Sequence, residues 1–207
     1  MKHAPANNYG RLPMRGPQSN RSLINLWPYY NAALGSSPWR SNHLASLPTG
    51  VQEFAGTEFD VHGLIQLSST GNTRLTNRYP DHVDNIRIGQ RCTRLHFLHA
   101  GAGGERDGVK VGQYVVHYAT GPDQEIPLVY AEDLRVWWHY PNKSKNIGRA
   151  VLAWTGTNAA SAAQNATLRL FKLTWDNPQP ENEIRSIDIV SGTSKCAPFV
   201  VAITTEP

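Results

Sequence analysis

Four consecutive ring-bearing side chains, Trp137, Trp138, His139 and Tyr140, are the most distinctive chemical feature of the sequence. Flat aromatic rings stack on the apolar C–H faces of sugars and lose little side-chain entropy on binding. Successive residues of a strand point to opposite faces of a sheet, so the run is also suited to core packing. We predict one Trp in the core, and the other either exposed as a carbohydrate platform or covered by the N-terminal segment.

Polar side chains that can bind sugar hydroxyls precede this run. Glu132, Asp133 and Arg135 carry carboxylate and guanidinium groups, which match vicinal hydroxyls with paired hydrogen bonds. The alternative is a solvated loop with an internal ion pair. A second polar loop is predicted before a strand at residues 86–88. The candidate ligand-binding residues are Trp138, His139, Tyr140, Arg135, Glu132, Tyr79 and His82.

The sequence contains no motif that predicts catalysis. It has no HExxH arrangement, and His96 and His99 are three residues apart on a predicted strand, which directs them to opposite faces. Glu125, Glu132 and Asp133 would form a glycosidase site only at a defined separation across a cleft. We therefore predict a binding protein without enzyme activity.

Calcium is the one cofactor that the sequence leaves open. Asp60, Asp107 and Asp123 offer the oxygen ligands that calcium prefers. They would have to converge with backbone carbonyls to hold a structural ion, and no other cofactor is expected.

The charge pattern argues against nucleic acid and membrane as partners. The net charge is +4, but the 20 Lys and Arg are scattered, and their densest stretch, residues 143–149, is interrupted. A nucleic-acid surface needs positive charge concentrated on one face. Residues 1–20 lack the apolar region of a signal peptide, and no apolar run is long enough to cross a membrane. We expect neither nucleic-acid binding nor membrane insertion.

Short strand signals begin near residue 51 and recur to the C terminus. The clearest hairpin lies in residues 112–130, where alternating Tyr114, Val116 and Tyr118 precede a Gly-Pro turn. Further strands are predicted at residues 149–155, 167–174, 184–190 and 198–204, and a polar loop at 157–166. Because no strand alternates with a long amphipathic helix, we predict an all-β fold with antiparallel pairing.

Residues 1–50 differ in composition from the rest of the chain. They are rich in Pro, Asn, Ser, Arg and Gly, and cannot form a core of their own. We predict an extended arm, residues 1–50, and one sandwich domain, residues 51–207. Trp27, Tyr29 and Tyr30 would anchor the arm on its own domain, or on a neighbouring subunit in a homo-oligomer or filament.

The two cysteines are far apart in the sequence. Cys92 and Cys196 encode neither a disulfide framework nor a multi-cysteine metal site. They can form a bridge only if their strands are neighbours, and we favour two buried free thiols.

An ordered series of segments resembles the galactose-binding-like jelly-roll modules of bacterial glycoside hydrolases and other large bacterial proteins. The resemblance spans about residues 28–204 and rests on FDVHGLIQL, RCTRLHFLHA, VGQYVVHYATG, IPLVYAEDLRVWW, AVLAWTG, TWDNPQPENEIRSIDIVS and PFVVAIT. It implies a non-catalytic, antiparallel jelly-roll-like β-sandwich, often associated with carbohydrate. Separately, we expect an extracellular or cell-surface location. The resemblance carries over no ligand residue, because variable end loops set specificity. Ala131 stands where glycine is expected in such modules.

Overall fold

The computed structural model describes residues 20–35, 42–70 and 79–207. Within these ranges the chain is almost entirely β, and its antiparallel sheets curl into a half-barrel. The predicted all-β, antiparallel fold is therefore confirmed. No helix in the described ranges has the length and apolar character needed to cross a membrane.

The described residues form thirteen strands and one short helix. In chain order they are β1 (Ala32–Ala33), β2 (Gly50–Phe54), β3 (Thr57–Val61), β4 (Gly63–Gln66), β5 (His82–Gln90), β6 (Arg94–Ala102), β7 (Lys110–Tyr118), β8 (Gln124–Val129), β9 (Trp138–His139), β10 (Val151–Gly156), α1 (Ala159–Ala163), β11 (Thr167–Asp176), β12 (Ile184–Ser191) and β13 (Ala197–Glu206).

These strands make two large sheets and one ribbon. The larger sheet has the order β1-β4-β13-β6-β11-β10, with β9 also paired to β11. The smaller sheet has the order β5-β12-β7-β8, and β2 pairs with β3 in a separate two-stranded ribbon. The predicted hairpin is confirmed, because β7 and β8 pair directly.

The core lies between the two large sheets. Phe97 of β6 stacks on Tyr114 of β7 with ring centroids 4.0 Å apart, and both rings are fully buried. Residues that face each other in an antiparallel pair share a side of the sheet. Phe97 lies opposite Leu173, and His99 lies opposite Phe171. The odd-numbered residues of β11 from 169 to 175 therefore face the other sheet.

The ribbon of β2 and β3 covers part of the outer face of the larger sheet. The hydroxyl of Thr204 donates to the carbonyl oxygen of Glu58 at 2.6 Å. Lys172 Nζ donates to Thr57 Oγ1 at 3.0 Å. Phe59 and Val61 are fully buried in β3, as their alternation in the sequence indicates.

The described part of the N-terminal segment packs on its own chain. Ile24 N donates to Ile203 O at 3.0 Å, and Thr205 N donates to Ser22 O at 2.8 Å, so this segment runs beside β13. Tyr30 Oη donates to Val201 O at 3.0 Å. Leu26 is buried with the core. Residues 1–19 and 36–41 of the predicted arm lie outside the described residues.

Two loop predictions were wrong in detail. The predicted polar loop at 157–166 contains α1, because Asn158 Oδ1 accepts from Ser161 N while Ser161 Oγ accepts from Asn158 N. This reciprocal capping satisfies the first turn of a short helix. His82 was predicted in a polar loop but belongs to β5, because pairing with β12 extends that strand.

Cys92 and Cys196 are buried free thiols, as predicted. Burial raises the pKa of Cys92 to about 11. It also raises the pKa of Cys196, with a smaller contribution from Glu105. Both sulfurs are therefore protonated and weakly nucleophilic at neutral pH.

Candidate functional site

The aromatic run lies at one end of β11. Trp138 and His139 form β9 and pair with Leu168 and Thr167. Trp137 is only 8% exposed and meets Phe199 edge to face, whereas Trp138 is half-buried. The prediction of one Trp in the core is confirmed, with Trp137 as the core residue.

Trp138 and Tyr140 form a small aromatic surface. Their ring centroids are 6.1 Å apart and their planes are inclined by 61°. Tyr140 is 37% exposed, and its hydroxyl donates to Gln164 Oε1 at 2.7 Å. Because Gln164 caps the C-terminal end of α1, this unpredicted helix positions the tyrosine ring.

Arg135 is buried rather than solvated, which corrects the prediction of an ion pair within a solvated loop. Nη1 and Nη2 donate to the two carboxylate oxygens of Asp107 at 3.1 and 2.9 Å, and Nε donates to Asn146 O. The guanidinium also lies 5.6 Å from the centroid of the Tyr130 ring. The partner of Arg135 comes from a different loop, so spacing within the 132–135 segment did not reveal it.

The two acidic residues of that segment have different environments. Glu132 is exposed, and its carbonyl oxygen accepts from Arg149 N and Ala150 N. Asp133 is fully buried, and its Oδ2 accepts from Val129 N at 2.7 Å and Arg149 Nη2 at 2.6 Å. Burial raises the pKa of Asp133 against the opposing effect of these two donors. Asp133 is therefore a buried structural residue that binds the Val129 amide and the Arg149 side chain.

Ala131 has a φ of 75°, in the left-handed region that glycine favours. Its N–H donates to Leu134 O at 2.8 Å, and its carbonyl accepts from Gly148 N at 2.9 Å. The position thus has the backbone conformation for which the resemblance implies glycine, and two hydrogen bonds hold it there.

Arg169 belongs to this region but was missed in the sequence. It is 5% exposed, its Nε donates to Val136 O at 3.0 Å, and its guanidinium lies 5.3 Å from the Phe171 ring centroid. Burial lowers its pKa. In the sequence, Arg169 is a single charged residue among apolar ones, two positions before Phe171.

His139 projects from the same face as Arg169, since it lies opposite Thr167 in the β9–β11 pair. The residue is 7% exposed, and neither ring nitrogen has a hydrogen-bond partner. Its pKa is lowered by burial first, then by the positive charges of Arg169, Lys145 and Arg135. The imidazole is therefore neutral at neutral pH, with Arg169 on the same face of the sheet.

Tyr79 and His82 lie elsewhere. Tyr79 is buried just before β5, and the exposed His82 pairs with Asp81 at 2.6 Å and Asp84 at 3.4 Å. Since β5 and β8 are three strand spacings of about 4.8 Å apart, His82 lies roughly 14 Å from the strand that leads to Arg135.

The three candidate calcium ligands do not converge. Asp60 Oδ1 lies 2.7 Å from His62 Nε2, Asp107 binds Arg135, and Asp123 Oδ1 lies 2.9 Å from His117 Nδ1. Within the described ranges, no group of three or more His, Cys, Asp or Glu is placed to hold a metal ion.

The chain has no match among protein-family models, curated proteins or solved structures. The geometry of its own residues is therefore what points to a function.

Proposed function

We propose that this domain is a non-catalytic carbohydrate-binding module, and that its ligand surface is the aromatic pair Trp138 and Tyr140. The observation that carries the proposal is that these two rings share one side of the chain at β9, with their centroids 6.1 Å apart. Two neighbouring rings inclined to each other form a shallow platform for the apolar face of a sugar.

Polar groups beside the platform suit sugar hydroxyls. Gln164 is exposed and accepts the Tyr140 hydroxyl, which leaves its amide hydrogens for a ligand oxygen. Asn142, two residues after Tyr140, adds a second exposed amide. A sugar hydroxyl both donates and accepts, so amide side chains are well matched to it.

The resemblance to galactose-binding-like jelly-roll modules supports the same function. Loops at the ends of such sandwiches carry the ligand contacts. Trp138 and Tyr140 are at an end of β11, beside the loop that follows β9. An extracellular or cell-surface location is part of this proposal.

The test is a glycan array followed by calorimetric titration of the best oligosaccharide into the full chain. We expect Tyr140→Ala to weaken binding by about tenfold, since replacing a stacking ring by alanine costs about 1–3 kcal/mol where nucleic-acid bases stack on aromatic side chains. Trp138→Phe keeps a smaller ring and is expected to weaken binding less. Trp175→Phe is the matched control, because Trp175 is also half-buried but lies about 23 Å away along β11. Equal affinities in all three folded variants would overturn the proposal.

A second candidate function is self-assembly into an oligomer or filament. The observation that favours it is β10, an edge strand of the larger sheet among the described strands. It exposes 47% of Val151 and 53% of Leu152. Exposed apolar edge strands pair readily with other chains, and residues 1–50 would be a further contact.

Light scattering of the purified full chain distinguishes this candidate. Particles larger than a 23.0 kDa monomer that dissociate in Leu152→Lys or in a chain lacking residues 1–19 would support assembly. A monomer at all accessible concentrations would exclude it.

A further inference from the structure

We propose that Arg169 and His139, with Arg135 beside them, form a binding site for a small oxyanion group such as phosphate, sulfate or carboxylate. This site lies on the opposite side of β9 from Trp138 and Tyr140, and it does not depend on the carbohydrate proposal.

The positive charge of Arg169 has no acidic partner among the described residues. Its guanidinium has five N–H donors, and only Nε–H has a protein acceptor among the described residues, the carbonyl of Val136. No carboxylate in those ranges pairs with it, although the residue is 5% exposed. A buried cation without a counter-ion is costly, and the face of Phe171 compensates only one side of the group.

The imidazole of His139 likewise lacks hydrogen-bond partners within the described ranges. Both ring nitrogens are buried and have no hydrogen-bond partner in the described structure. Buried polar side-chain atoms are usually paired with protein or an ordered molecule. The pairing between β9 and β11 puts His139 on the same face as Arg169. The two side chains that lack acceptors are therefore neighbours.

The charged side chains near Arg169 and His139 leave an excess of positive charge. Arg135 directly precedes Val136, whose carbonyl oxygen accepts from Arg169 Nε, and the positive charges of Arg169, Lys145 and Arg135 also lower the pKa of His139. Asp107 neutralises Arg135 through two hydrogen bonds. The nearby carboxylate of Glu132 lies beside Gly148, and Asp133 is paired with Arg149. No acidic side chain in these contacts balances Arg169, so the local field favours an anion.

The ligand class follows from the donors. A planar guanidinium fork matches two oxygens of a carboxylate, sulfate or phosphate group. An imidazole N–H beside it can donate to a third oxygen. The exposed segment of residues 142–146 borders the site, because Asn146 O accepts from Arg135 Nε. A ligand would enter from that side.

The experiment uses the full chain and three simple probes: sodium phosphate, sodium sulfate and sodium acetate, each compared with sodium chloride at equal ionic strength. The readouts are the melting temperature and the ring resonances of His139 in NMR spectra. We expect saturable changes with at least one oxyanion and none with chloride. The preferred probe distinguishes a tetrahedral anion from a carboxylate.

Two variants identify the site. Arg169→Gln is expected to weaken oxyanion binding by about tenfold or more, because it removes the fork. His139→Gln keeps a donor and is expected to weaken binding less. Arg91→Gln is the matched control, since Arg91 is exposed and its loss changes the net charge equally.

Saturable binding that is weakened in Arg169→Gln and retained in Arg91→Gln would support the site. Equal binding in these two variants, or no His139 resonance shift with any probe, would overturn it. If Arg169→Gln does not fold, saturable shifts of the His139 resonances in the unmodified chain would support the site, and the absence of such shifts would overturn it.

Discussion

The hydroxyl of Tyr114 lies 2.7 Å from Nδ1 of His99, in the buried space between the two sheets. Nε2 of His99 lies 2.9 Å from the carbonyl oxygen of Asp133, which can only accept. The proton of the neutral imidazole is therefore on Nε2, and Nδ1 accepts from the tyrosine. This histidine is neutral, fully buried and hydrogen-bonded at both nitrogens.

Acid should destabilise the fold through His99. Burial lowers its pKa from 6.5 to about 4 in the folded protein, so the unfolded chain takes up a proton first as pH falls. The contribution is fully present above pH 6.5 and is lost progressively down to about pH 4. Its full size is on the order of 3 kcal/mol. Urea unfolding across this range measures it.

His99→Leu provides the control for this prediction, because burial also lowers the pKa of His96 and His139. The variant should lose the His99 part of the acid dependence while the remainder persists. An identical dependence of unfolding free energy on pH in both proteins would contradict the prediction.

Removing Arg149 from its ion pair with Asp133 should destabilise the fold. Asp133 is fully buried while Arg149 is 54% exposed, so Arg149→Met leaves the carboxylate with the Val129 N–H as its remaining donor, at a solvent-screened cost of about 1–2 kcal/mol. The double variant with Asp133→Asn should recover part of this loss. Urea unfolding at neutral pH gives the free energies.

Arg94→Met is the comparison for that pair. Arg94 binds Asp176 and Glu206, but all three side chains are substantially exposed. Its loss should therefore destabilise the fold much less than the loss of Arg149. Equal losses for the Arg149 and Arg94 variants would show that burial of Asp133 does not matter.

The turn between β2 and β3 should accept a stabilising substitution. Ala55 and Gly56 have φ values of 49° and 73°, as in a type I′ hairpin turn, which favours Asn-Gly. Ala55→Asn is expected to raise the free energy of unfolding by about 0.5–1 kcal/mol, since asparagine tolerates this conformation better. Thermal unfolding checks it, with Ala45→Asn as an exposed control lacking positive φ; no gain over that control would refute it.

Local sequence patterns predicted much of the strand content. Period-two alternation identified β7 and β8, and the strand signals at 167–174 and 198–204 correspond to β11 and β13. Alternation also placed His96 and His99 on opposite faces, where His96 contacts Thr174 and Glu206 while His99 contacts Tyr114. These properties depend on neighbouring residues, so they can be read locally.

The site was only partly predictable. Trp138 and Tyr140 follow from their residue types, but α1, which orients Tyr140, was missed because it is only five residues long. The burial of Arg135 was missed because its partner, Asp107, comes from another loop. Arg169 was overlooked because a single charge within an apolar strand resembles an exposed position until the register with β6 and β9 is known.

The sequence by itself determined the all-β class, the main strands and the aromatic run, because these depend on side-chain type and period two along a few residues. Only the tertiary structure decided which polar groups are buried and which charged side chains have a counter-ion. The pairing of β9 with β11 brings His139 beside Arg169. The contact between two loops lets the carboxylate of Asp107 pair with Arg135. Such charge balance arises from residues distant in the chain, which local patterns do not specify.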